Sequence, residues 1–115
     1  MQRWSAPGAS FADEAVAEYI RCFSKPETIH ASCEDYRAAA TIDLTHDEES
    51  INQKIECPLL VLWGEKGFVN RTYDVLDVWR QYAKQIEGRA LENCGHFLPE
   101  EAPTAVCDEI LRFFR

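Results

Sequence analysis

The side chains of this 115-residue sequence suited to moving a proton or attacking a carbon centre include three histidines and five cysteines. His96 stands out by its setting, Glu92-Asn93-Cys94-Gly95-His96, a short polar loop whose glycine permits a tight turn just before the ring. An imidazole titrates near neutrality and suits general-base work. Taken alone, a single histidine reads first as a surface or helix-capping residue. His30 and His46 fall in a helical stretch and an acidic loop, and for them that plainer reading holds. Cys94 and His96 do not make a zinc site, which needs four ligands at characteristic spacings; no C-x-x-C or H-x-x-x-H pair occurs. Nothing marks the Cys94 thiolate as stabilised. The sequence also has no Gly-rich phosphate loop and no G-x-S-x-G nucleophile elbow. No cofactor and no metal is expected.

A histidine base needs a rigid platform, and the second half of the sequence supplies one. Leu59-Leu60-Val61-Leu62-Trp63 is a continuous apolar run ended by Gly64, the pattern of a parallel strand buried on both faces. Val75, Val78, Trp79 and Tyr82, with Leu76 and Ala83 beside them, form the stripe of an amphipathic helix. Gly88–Glu92 reads as a second, shorter strand, and Pro103 opens a last helix burying Val106, Ile110, Leu111 and Phe114. Strand, helix, strand, helix implies a parallel pair with a crossover. His96 then projects beyond the carboxyl end of the second strand, where open parallel sheets bind ligands.

The first half reads as helical. Ser10 and Asp13 resemble a capping box ahead of a stripe of Val16, Tyr19, Ile20 and Phe23. Pro26 breaks that helix and opens another, from about Glu27 to Ala40. Asp43–Gln53, acidic and polar, reads as a solvated connection. A two-stranded parallel sheet would leave an apolar edge unpaired. The second half therefore looks like one end of a larger sheet, and the chain like the C-terminal part of a longer protein. The exposed edge also makes self-association an expectation.

Twenty acidic residues against twelve basic ones give a net charge of −8, a surface that repels phosphate backbones. Nucleic acid is thus not an expected partner. Neither is a membrane, since no basic amphipathic stretch occurs and the longest apolar run is Leu59–Trp63. The N-terminus does not read as a signal peptide, and an odd number of widely spaced cysteines suits a reducing cytoplasm.

Three segments carry a family resemblance: Pro58-Leu59-Leu60-Val61-Leu62-Trp63-Gly64-Glu65-Lys66-Gly67, Asp77-Val78-Trp79-Arg80, and Gly95-His96-Phe97-Leu98-Pro99-Glu100-Glu101-Ala102-Pro103. They resemble the C-terminal half of α/β-hydrolases. With Cys33-Glu34-Asp35-Tyr36-Arg37-Ala38 upstream, nearly the whole chain is similar to the haloacetate (fluoroacetate) dehalogenases. The resemblance implies the C-terminal part of an α/β-hydrolase fold, β-α-β-α with parallel strands and an incomplete sheet, preceded by cap-domain helices. Residues 1–40 would be the cap tail and 41–115 the core.

The resemblance further implies that His96 is the catalytic histidine, activating water to hydrolyse a covalent ester. Tyr36 would be the halide-binding residue, donating its phenolic hydrogen to the departing anion. Its plainer reading is a helix residue packing the cap. Many α/β-hydrolases carry the acid of their triad after the strand matched by Leu59–Trp63. Here that stretch reads Gly64-Glu65-Lys66-Gly67, with glycine in the acid's place. This and the Glu34-Asp35-Tyr36-Arg37 segment favour a dehalogenase over an epoxide hydrolase. The family's aspartate nucleophile, its substrate-gripping arginines and the histidine's acid partner would all precede Met1. The expected substrate of the full-length parent is a small haloacid, and the isolated chain is expected to be inactive. The alternatives are an epoxide hydrolase or another cap-bearing hydrolase, and a non-catalytic protein pairing through its sheet edge.

Overall fold

A computed structural model describes residues 3–115. They form two compact units, one of Ala12–Gln53 and one that joins the stretch ending at Phe11 to Lys54–Arg115. In the latter, the core unit, β1 (Leu59–Gly64) and β2 (Ile86–Leu91) pair in parallel, from Leu59 opposite Ile86 to Gly64 opposite Leu91. The pair is buried chiefly at Val61 and Leu91, and Val75, Ala83, Cys94 and Ala6 complete the small core.

The crossover contains two short helices, α4 (Phe68–Thr72) and α5 (Val75–Trp79). The Asp74 carboxylate caps α5 by accepting from the Asp77 N–H at 3.0 Å. The apolar stripe predicts helix as far as Ala83, yet α5 ends at Trp79. The cause is a competing backbone partner: Tyr82 C=O accepts from Ile55 N–H at 2.8 Å, and Ile55 C=O accepts from Lys84 N–H at 3.1 Å. This parallel bridge draws the chain out of the helix and buries Ala83.

After β2 come α6 (Leu98–Glu101) and α7 (Pro103–Phe113), the latter with proline in its first turn as expected. Glu109 on α7 accepts from Arg89 on β2 at 2.7 Å, and Arg112 reaches Glu87, so α7 is tied along the second strand.

The helical unit contains α1 (Asp13–Phe23), α2 (Pro26–Ala39) and α3 (Ile42–Ser50). Ser10 does not cap α1; its N-cap is Ala12, which makes no side-chain bond. The displacement has a tertiary cause, because Phe11 packs edge-to-face on Phe97 at 5.6 Å and keeps the preceding residues with the core unit. The stretch expected as a solvated connection is instead α3. Its acidic composition is compatible with helix, since Glu is a good helix former and Asp43 lies in the first turn, where negative charge is favoured. The helical unit ends at Gln53. No helix among the described residues is long and apolar enough to cross a membrane.

Candidate active site

The loop that carries His96 is built from backbone contacts. The chain leaves β2 through Asn93, which has φ 55°, a left-handed conformation that asparagine tolerates better than most residues. Asn93 N–H donates to the Glu65 carboxylate at 3.1 Å, Glu65 N–H donates to Leu91 C=O at 3.0 Å, and Lys66 N–H donates to Cys94 C=O at 2.8 Å. The loops following β1 and β2 are thus stitched together. The Asn93 bond, with Lys66 beside it, holds the Glu65 carboxyl below its ordinary range.

Gly95 does not have the role the sequence suggests. The left-handed turn is at Asn93, and Gly95 is needed for space. A Cβ there would lie 2.4 Å from Ala6 N, and a Cβ on Gly64 would lie 1.8 Å from Gly95 O. The backbone ahead of His96 is therefore sandwiched between the end of β1 and the segment Trp4–Ala6.

His96 itself is exposed. Its N–H donates to Trp4 C=O at 3.0 Å. Its ring stands edge-to-face to Trp4, centroids 5.0 Å apart, and to Phe97 at 4.9 Å. Glu101 holds this arrangement together: its Oε2 accepts from Ala6 N–H and Gly95 N–H, each at 2.8 Å, and its Oε1 accepts from Phe97 N–H at 2.9 Å. Burial works to raise the Glu101 pKa, but the three N–H donors and the nearby His96 outweigh it and keep the carboxyl below its ordinary value. Cys94 is 1% exposed, and burial followed by the Glu101 charge pushes its thiol up, away from nucleophile chemistry. Among the described residues no three His, Cys, Asp or Glu side chains gather to hold a metal ion.

An apolar cavity of about 490 Å³ opens beside His96. All six residues of β1 line it, although successive side chains of a strand point to opposite faces. It therefore runs along the free edge of β1, where a wider sheet would continue, with Val75 and Trp79 on its flank and Gly95, His96 and Leu98 near the carboxyl end. Tyr36 belongs to the other unit, on α2, where the residue is 79% exposed and the neighbouring Arg37 pairs with Glu34. Trp4 and Glu101 were not singled out by the sequence. Trp4 has no periodicity around it, and the order Pro99-Glu100-Glu101 does not say which carboxylate turns back to the loop.

A parallel strand–crossover–strand, with a histidine just past the second strand and an apolar cavity beside it, has the fold of the C-terminal part of an α/β-hydrolase. A solved structure assigned to the α/β-hydrolases, from Nostoc sp. PCC 7120, superposes with a TM-score of 0.92 at 57% identity, over 98% of this chain and 38% of that one. Over 90% of its length the chain is 38% identical to a soluble epoxide hydrolase of Corynebacterium sp. (strain C12), covering 35% of that protein. Over 97% of its length it is 33% identical to a fluoroacetate dehalogenase of Burkholderia sp., covering 36%. The chain thus spans little more than a third of the length of these proteins. No family model matches it.

Proposed function

We propose that these 115 residues are the histidine-bearing part of a haloacetate dehalogenase. The observation that supports this best is the setting of His96, held by a stitched backbone just past the carboxyl end of β2. In the complete reaction an aspartate carboxylate oxygen, supplied from outside these residues, bonds to C2 of the haloacetate. The carbon–halogen bond breaks and halide leaves with the electron pair. His96 then takes a proton from a water whose oxygen attacks the ester carbonyl and passes it to the alkoxide oxygen of glycolate as that bond breaks; the water's other proton goes to solvent as the carboxylate re-forms. Tyr36 donates its O–H to the departing halide.

The similarity to the Corynebacterium enzyme supports a second reading, in which the aspartate opens an epoxide and His96 hydrolyses the resulting hydroxyalkyl ester to a diol. One experiment separates the two. In the full-length protein, His96→Ala blocks only the second half-reaction, so incubation with fluoroacetate leaves an aspartate carrying a carboxymethyl ester, detected by mass spectrometry of the intact protein. An adduct formed from an epoxide and not from haloacetates selects the second reading. Absence of any trapped adduct overturns the role of His96. The 115-residue chain alone releases no halide above the uncatalysed background; release that survives repurification and is lost in His96→Ala overturns the need for an outside nucleophile.

A further inference from the structure

We infer that Glu101 is the positioning residue of His96, its single carboxylate fastening the backbone on both sides of the imidazole to the segment that carries Trp4. The inference rests on reading His96 as the base of the reaction. Gly95 and Phe97 flank His96 in sequence, and both donate their N–H to Glu101. Ala6, two residues beyond Trp4, donates to the same oxygen as Gly95. The two walls that confine the ring, Trp4 and Phe97, are therefore set by one anion. Ordinary helix capping does not explain this. Glu101 ends its four-residue helix, and the Ala6 and Gly95 donors lie outside it.

The chemistry of the site requires a carboxylate. Three N–H groups converge on two acceptor oxygens, and charge-assisted bonds of this kind are shorter and stronger than neutral ones. Glutamine would offer one acceptor oxygen and point an NH₂ at a backbone N–H, leaving at least one donor without a partner. The consequence falls on the ring rather than only on stability: with Gly95 or Ala6 released, the sandwich of Trp4, His96 and Phe97 opens and the imidazole swings.

NMR of the isotope-labelled full-length protein tests this without reference to activity. The ring protons of His96 carry ring-current shifts from Trp4 and Phe97, whereas His30 and His46, on α2 and α3, serve as internal references. In Glu101→Gln, the His96 shift is lost and its signals move to the positions of the other two, while the amide pattern of β1 and β2 is kept. Glu109→Gln, which removes the carboxylate that ties α7 to Arg89 on β2, leaves His96 unchanged. A folded Glu101→Gln protein with unaltered His96 shifts overturns the inference and leaves Glu101 a stabilising residue only. Should the substitution unfold the core unit, the unaltered chain decides. The Ala6, Gly95 and Phe97 amides must then exchange with solvent slowly and together, and independent, rapid exchange overturns the clamp. Failure of the dehalogenase reading would appear as a missing adduct in the His96→Ala experiment and would leave these spectra untouched.

Discussion

The two units are held together by different forces. Every buried hydrophobic residue among those described lies in the core unit, and α1, α2 and α3 bury none. The helical unit displays instead local pairs three residues apart, Arg21 with Glu18 and Arg37 with Glu34, which need nothing beyond their own helix. The core unit relies on contacts to the backbone of distant segments: Gly64 against Gly95, Gly95 against Ala6, and the Glu65 carboxylate accepting from Asn93 N–H. The difference shows where a group can be held to the tolerance that catalysis demands. His96 sits among contacts that leave no room for a methyl group, whereas Tyr36 sits exposed on a helix.

Substitutions in the two units should expose that contrast, and the largest effect belongs to the core. Gly64→Ala places a methyl group against the backbone of Gly95, and overpacking of this kind costs about 1–3 kcal/mol or more. Thermal melts followed by circular dichroism should show a clear loss of stability. A melt unchanged from the parent would mean that the two loops are not closely packed.

Next comes Tyr36→Phe in the full-length protein. Removing one hydrogen bond to an anion is worth about 1.5–3 kcal/mol, so turnover should slow roughly ten- to a hundredfold with the melt unchanged. Fluoride, the poorest leaving group, should suffer more than chloride. Equal slowing for both, or none, would remove Tyr36 from the halide and confine the chemistry to the core unit. The smallest effect is expected from Arg37→Ala, which breaks an exposed ion pair with Glu34 worth roughly 0.2–1 kcal/mol. A larger loss on a melting curve would show that α2 depends on more than its own turns.

The same contrast explains what could be read from sequence. The two strands, their parallel pairing and the start of the last helix were legible, because continuous apolar runs and a proline at a helix start are local marks. The position of His96 past β2 followed from them. The missed features depend on contacts between distant residues. Ile55 ended α5 early from more than twenty residues away, and Phe97 drew Phe11 out of the first helix. The roles of Trp4 and Glu101 at the site were hidden for the same reason, since neither follows a periodic pattern. α3 was missed differently: acidic polar composition suits both a loop and a solvated helix, and nothing in the stretch chooses between them.

The bond from Ala6 to Glu101 joins residues 95 positions apart, with the whole helical unit intervening in the chain. Bringing such distant residues together carries a loop-closure cost, and contacts of long sequence separation slow folding. The β1–β2 pair can form within a span of thirty-odd residues, whereas the Trp4 wall of the histidine must await Glu101. During synthesis, Trp4 stays without its dock until Glu101 has been made. One wall of the His96 ring is thus among the last parts of the site to assemble.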